Sequence, residues 1–217
     1  MLMFLGSSVC HQLAERSYFY EDVQMPLCAR CIGIQFGFAV SFFFLMTGSR
    51  RFASGLPSVR QMVALSAVMS LFLVDAVLSY SGLSYSTNLR RTLSGLCLGV
   101  VIPFILVPLL NLLLYPGRNP RRVLDVRSTW FFIGAIYVVS AALILLSEES
   151  WAIFYPVSIV GVMGVFMFFS TVASLEVMLI LDKRPMSGVR KLAIGISIAV
   201  FVLLVMAVVH QMVSPTL

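Results

Sequence analysis

The sequence is poor in charged residues, which fill 11% of its 217 positions, whereas soluble domains carry about 25%. Hydrophobic residues make up 60% of the chain, and the mean hydropathy is +1.01. This balance excludes an ordinary soluble domain and an intrinsically disordered chain. The 15 Lys and Arg residues stand in short clusters between long apolar runs, which excludes a nucleic-acid-binding module. We therefore expect no nucleic-acid partner.

Several motifs of catalysis and cofactor binding are missing from the chain. There is no Gly-rich phosphate loop, no His-Glu-x-x-His, no Gly-x-Ser-x-Gly and no Cys-x-x-Cys-His string. The two histidines, His11 and His210, stand at opposite ends of the sequence, which disfavours a bis-histidine haem between two spans. Asp75 and Glu176 are expected near opposite membrane faces, so no row of ionisable residues indicates an ion channel.

Long apolar runs are abundant, and six of them approach or exceed the 20 or so residues that a membrane-spanning helix needs. The predicted spans cover residues 31–47, 61–80, 92–115, 128–146, 151–181 and 192–213. Pro103, Pro108 and Pro156 predict local kinks, and Gly95 with Gly99 predicts a closely packed helix face. The sequence therefore predicts an all-α, polytopic transmembrane helical bundle with about six spans.

Lys and Arg residues are distributed unequally between alternate loops, which predicts the orientation of the chain. Eleven of the 15 lie in the loops after the first, third and fifth predicted spans: Arg50, Arg51, Arg60, Arg118, Arg121, Arg122, Arg127, Lys183, Arg184, Arg190 and Lys191. The positive-inside rule places these loops in the cytoplasm. Residues 1–30 then form an extracytoplasmic segment before a helical bundle over residues 31–217. The apolar stretch at the N-terminus is short and has no basic region before it, so we do not expect a cleaved signal peptide.

Three of the four cysteines fall in the predicted external segment and at the start of the first span. Cys28 and Cys31 form a Cys-x-x-Cys pair that directs two sulfur atoms to one point, and Cys10 with His11 completes a tetrahedral set of ligands. The sequence thus predicts a transition-metal site. Zinc is favoured, and soft thiolates outside the cytoplasm also suit copper(I).

Two other interpretations of these cysteines stay open. The spacing of Cys28 and Cys31 is also that of thiol-redox motifs, and the compartment outside the cytoplasmic membrane can be oxidising. Alternatively, a disulfide between Cys10 and either of the other two would staple the external segment.

Further polar residues are predicted on the same membrane face. Asp75 lies one to two turns below the external end of the second span, and intramembrane carboxylates are candidates for functional sites. We assign Arg30, Asp75, Asn88 and Arg90 to the binding of a substrate or an anionic headgroup. A structural alternative is that Asp75 pairs with Arg90 or Arg30 to hold helices together. His210, near the external end of the sixth span, is either a ligand or an interfacial histidine.

Several strings resemble one known family. They are Cys10-His11-Gln12, Arg16-Ser17, Pro26-Leu27-Cys28-Ala29-Arg30-Cys31-x-Gly33, Asp75, and Ser86-x-Asn88-Leu89-Arg90 with Gly95 and Gly99. They are similar to prokaryotic predicted membrane proteins known as domain of unknown function 2085, over roughly residues 9–100. The resemblance implies a polytopic fold with a shared Cys/His site, in the cytoplasmic (inner) membrane of a prokaryote, and it implies no particular activity.

Three functions fit these observations. The first is a metal-binding membrane protein, in contact with membrane lipids and with other membrane subunits if it is an accessory subunit of a larger complex. The second is a membrane enzyme that acts on an anionic lipid or isoprenoid substrate, with Asp75 as base and a Cys/His metal that activates water. The third is a thiol-redox membrane protein.

Overall fold

The computed structural model describes residues 1–47, 51–115, 121–124, 127–182, 184 and 186–213. Its helices are α1 (Leu2–Gly6), α2 (Ala29–Met46), α3 (Val59–Tyr80), α4 (Asn88–Val101), α5 (Pro103–Leu114), α6 (Arg127–Leu146), α7 (Trp151–Ile180) and α8 (Gly188–Val213). The N-terminal segment also contains a short 3₁₀ turn (Ala14–Arg16) and two strands, β1 (Phe19–Tyr20) and β2 (Val23–Gln24).

Six spans are present in the described part of the chain. The helices long and apolar enough to cross a membrane are α2, α3, α6, α7 and α8, together with the α4–α5 pair taken as one span. This confirms the all-α polytopic bundle. The first span begins at Ala29 and the third at Asn88, a few residues earlier than predicted. As a result, Arg30 and Cys31 belong to the first turn of α2.

The third span is divided at its centre. α4 ends at Val101, α5 begins at Pro103, and Ile102 caps both helices. Proline lacks an amide hydrogen and its ring clashes with the preceding turn, so the helix divides at this position. Helices α5 and α7 continue through Pro108 and Pro156.

Helices α2 and α4 pack closely through glycines on both sides. Gly33 and Gly37 of α2 face α4, and Gly95 and Gly99 of α4 face α2. A Cβ atom at Gly95 or Gly99 would overlap a carbonyl oxygen of α2, and one at Gly33 would lie 2.5 Å from the carbonyl oxygen of Thr92. Small residues permit this close approach in membranes, where packing rather than apolar burial holds helices together.

The basic loops meet at one end of the bundle. The side-chain amide of Asn111 donates hydrogen bonds to the carbonyl oxygens of Arg51 and Ala53, each at 3.0 Å. The amide of Gln61 donates to the carbonyl oxygen of Leu124 at 3.0 Å. These contacts join the loop after the first span to α5 and the loop after the third span to α3. The assignment of this end to the cytoplasm stays a prediction. Arg50, Arg118 and Lys183 lie outside the described residues.

The N-terminal segment is folded against the opposite end. Helix α1 packs on α7 and α8, and β1 and β2 form an antiparallel hairpin in which Phe19 pairs with Gln24. The hydroxyl groups of Tyr18 and Thr92 share a hydrogen bond of 2.8 Å, and Thr92 donates to the carbonyl oxygen of Ala29 at 3.1 Å. This buried chain of hydrogen bonds fixes the segment to the first turns of α2 and α4.

Candidate metal centre

The sulfur atoms of Cys10, Cys28 and Cys31 converge at the N-terminus of α2. They lie within 4.8 Å of one another, and all three cysteines are free thiols. Cys28 is the N-cap residue of α2 and Cys31 lies in its first turn, so both sulfurs face the same end of the helix. Tetrahedral bonds of about 2.3 Å between zinc and sulfur hold sulfurs about 3.8 Å apart, which this group can reach with small adjustments.

Backbone and side-chain amides hold Cys10 in place. Its Sγ accepts hydrogen bonds from the backbone N–H of Cys28 at 3.2 Å and of Gln12 at 3.4 Å. Gln12 adopts a left-handed conformation, with φ of 54°, that turns the chain beside the cluster. Its side-chain amide donates to the carbonyl oxygens of Met3 at 2.7 Å and Pro26 at 2.9 Å. Gln12 therefore joins three parts of the segment around Cys10.

Hydrogen bonding favours the thiolate form of Cys28. The pKa of Cys28 is lowered from its ordinary value because its sulfur accepts hydrogen bonds from the thiols of Cys10 and Cys31 and from backbone N–H groups in the first turn of α2. The pKa of Cys10 is raised, mainly because its thiol donates to Cys28 and further because it is buried. A thiolate at a helix N-terminus is the form that binds a metal ion or attacks a disulfide.

His11 stands beside the sulfur group rather than within it. Among the residues described, the ligand atoms that lie within 4.8 Å of one another belong to the three cysteines alone. The exposed imidazole of His11 lies edge-on to that of His210, with ring centroids 6.2 Å apart. It also lines the cavity next to the cysteines. Its assignment as the fourth ligand stays a prediction that requires a change of side-chain rotamer.

The donor set fits a transition metal. Three converging thiols are soft ligands that select zinc or copper(I) over magnesium and calcium. Three protein ligands leave a fourth position for His11, water or another small ligand.

Asp75 joins three helices beneath this site. Its Oδ2 lies 2.6 Å from Nη2 of Arg30 in α2 and accepts a hydrogen bond of 2.8 Å from the hydroxyl of Ser94 in α4. Its Oδ1 lies 2.7 Å from Nε of Arg90. Asp75 is 5% exposed and Arg30 is 9% exposed. Both arginines therefore bind Asp75, and this matches the structural pairing that the sequence left open.

Asn88 ties the N-terminal segment to α4. Its side-chain amide donates to the carbonyl oxygen of Ser17 at 3.3 Å, and its Oδ1 accepts a hydrogen bond of 3.2 Å from Arg91.

Sequence reasoning missed Ser94 as a partner of Asp75. Ser94 follows Arg90 by four residues, so the two lie on one face of α4. This spacing was the signal from which the sequence could have identified Ser94.

A cavity of about 290 Å³ opens beside the sulfur group. Its lining includes the three clustered cysteines, His11, Gln12, Tyr80 and three arginines, Arg16, Arg30 and Arg91. None of the described residues that line it is an aspartate or a glutamate. The sulfur group therefore faces a small space with positively charged walls.

Comparison with known proteins agrees with the membrane assignment. Residues 10–105 match the sequence model of a family described as "Predicted membrane protein (DUF2085)", which confirms the resemblance inferred from the Cys-His-Gln and Leu-Cys-x-Arg-Cys-x-Gly strings. The chain is also similar to an uncharacterised protein of Methanocaldococcus jannaschii. The two are 28% identical over 109 residues, which cover 50% of this chain and 68% of the archaeal protein. No solved structure matches the chain.

Proposed function

We propose that this integral membrane protein binds one transition-metal ion, zinc by preference, in an extracytoplasmic site formed by Cys10, Cys28 and Cys31, with His11 as the fourth ligand. The convergence of three sulfur atoms from two separate parts of the chain carries the proposal. Cysteines that serve packing alone have no reason to gather in this way. Cys97 illustrates the contrast, because it is buried in α4 next to Tyr137, away from the group.

The role of the ion is to close the N-terminal segment onto the bundle. Cys10 approaches from the segment, while Cys28 and Cys31 belong to the start of α2, so one ion crosslinks the two parts. A structural zinc site stabilises the folded state by the free energy of metal binding. The small size of the other described loops suits an accessory subunit that presents this segment to a larger membrane complex.

Elemental analysis of the purified protein tests the proposal. We expect about one metal ion per chain, lost in Cys28→Ser and retained in Cys97→Ser, which removes a thiol outside the group. His11→Ala then decides the fourth ligand, because loss of metal assigns the position to His11 and retention leaves it to water or another ligand. Metal-free protein with four free thiols would contradict the proposal.

A thiol-redox protein is the second candidate, favoured by the lowered pKa of Cys28 at a helix N-terminus beside Cys31. Counting free thiols in the same samples separates it from metal binding. A redox function requires that two free thiols are lost on mild oxidation and recovered on reduction, in protein without bound metal.

A further inference from the structure

The cavity beside the cysteines has an excess of positive charge. Asp75 is shared by Arg30 and Arg90, so this group of three side chains carries a net charge of one positive unit. Arg91 donates to the neutral amide of Asn88 and keeps its full charge. Arg16 pairs with Glu15 through Nε at 3.2 Å, but both side chains are exposed, and such pairs are weak.

Arg30 adds positive charge to the wall of the cavity. This side chain lines the cavity, and more than nine-tenths of the residue is buried. Its Nη2 is occupied by Asp75 and Ser79. Its Nε is covered and has no hydrogen-bond partner within the described part of the chain. Because the Nε atom is covered, a ligand in the cavity would interact with Arg30 through its positive charge and not through this N–H.

The position and size of the cavity define the class of anion. Tyr80 is the last residue of α3 and Arg91 lies in the first turn of α4, so the cavity is at the level where lipid headgroups meet a helical bundle. A volume of about 290 Å³ is at the lower end for ligand sites and suits one phosphate group with its immediate substituent. The planar donors of arginine match phosphate oxygens in bidentate geometry.

We infer that this cavity is a binding site for a phosphate group, held by Arg16 and Arg91 and attracted by the charge of Arg30, next to the metal centre. The phosphate comes either from the headgroup of an anionic lipid or from a free phosphate ion. The site rests on the proposed function in one respect, because a bound metal ion offsets the negative charge of the clustered thiolates. The phosphate site gives the metal centre a neighbouring ligand. The function of the metal centre then extends beyond holding the N-terminal segment.

Binding of two probes to the purified protein in uncharged detergent tests this inference. The first probe is inorganic phosphate, titrated against chloride at constant ionic strength by calorimetry. The second is phosphatidylglycerol, whose retention is compared with that of phosphatidylcholine by native mass spectrometry. The variants are Arg16→Gln and Arg91→Gln. Arg60→Gln is the matched control, because Arg60 is an exposed arginine at the opposite end of α3.

We expect saturable binding of one probe that weakens about tenfold or more in Arg91→Gln and Arg16→Gln and is unchanged in Arg60→Gln. Binding of inorganic phosphate assigns the free ion, and selective retention of phosphatidylglycerol assigns the headgroup. Arg91→Lys, which keeps the charge, should bind more tightly than Arg91→Gln and controls for misfolding. Failure of both probes to bind, or equal affinity in wild type and Arg91→Gln, would overturn the inference.

Metal content measured on the same samples keeps the two proposals separate. Phosphate binding that depends on Arg91 in protein without metal would contradict the metal site and leave the phosphate site standing. Stoichiometric metal with no phosphate or lipid binding would support the metal site and overturn the phosphate site.

Discussion

Nη2 of Arg30 lies 2.6 Å from Oδ2 of Asp75, and this ion pair joins the helix that carries the Cys-x-x-Cys pair to the second span. Arg30 is itself one of the two residues between Cys28 and Cys31. The turn that presents two sulfur atoms to the cavity is thus also the turn that is fixed to α3. Since both partners are buried, loss of Asp75 would leave the charge of Arg30 uncompensated in the bundle.

Asp75→Asn should strongly destabilise the bundle. The substitution keeps the size of the side chain but leaves Arg30 and Arg90 without a counter-charge, and breaking a buried pair costs about 3–5 kcal/mol. Denaturant unfolding in detergent measures this cost. Glu176→Gln is the control, because Glu176 is an exposed acid within α7 and its neutralisation should have little effect. Similar losses in the two variants would show that Asp75 has no special structural role.

Gly99→Ala should destabilise the contact between α2 and α4. The added Cβ would overlap the backbone of Ile34, which cannot move without shifting the whole helix, and overpacking of this kind costs about 1–3 kcal/mol. Gly134→Ala in α6 is the matched control, because no atom lies within 4 Å of its added Cβ. Alanine favours a helix by up to about 1 kcal/mol over glycine, so the control should be neutral or stabilised. Equal unfolding midpoints for both variants would be inconsistent with the close approach.

Alkylation of Cys28 in metal-free protein should depend little on pH. A lowered pKa keeps the sulfur as thiolate above that pKa, so the rate should stay nearly constant from about pH 8 to about pH 6. A thiol with the ordinary pKa of 9.0 would slow about tenfold for each pH unit in that range. Mass spectrometry of the modified peptide measures the rate. Cys10→Ala removes the main hydrogen-bond donor to Cys28 and should restore part of the ordinary slope; a full slope in the wild type would disprove the assignment.

Gln12→Glu should weaken metal binding although it alters no ligand. A carboxylate cannot donate to the carbonyl oxygens of Met3 and Pro26, so the turn that holds Cys10 would lose both ties. Loss of such supporting contacts typically lowers metal affinity by about 10–100-fold. Competition with a chromophoric chelator measures the affinity. Gln211→Glu, at an exposed position near the end of α8, should bind metal like the wild type, and an equal effect of both variants would exclude a positioning role.

The sequence by itself determined the six spans, because a run of about 20 apolar residues has no stable alternative to a helix inside a bilayer. It also identified Cys10, Cys28 and Cys31 as a group, since a Cys-x-x-Cys pair with a third cysteine in the same short segment is typical of thiols that act together. The glycines of α4 were recognised as a packing face for a similar geometric reason, because their spacing of four residues places both on one side of a helix.

Only the tertiary structure decided which polar groups meet. Arg30 was assigned to a ligand, with an ion pair to Asp75 as the alternative, and the fold directs its Nη2 to Asp75 and Ser79, because its long side chain reaches from α2 to α3. The imidazole of His11 stands against His210 because the N-terminal segment crosses to α8, a contact between residues at opposite ends of the chain. Such pairings depend on how the helices are arranged, and helical periodicity contains no information about which helix lies next to which.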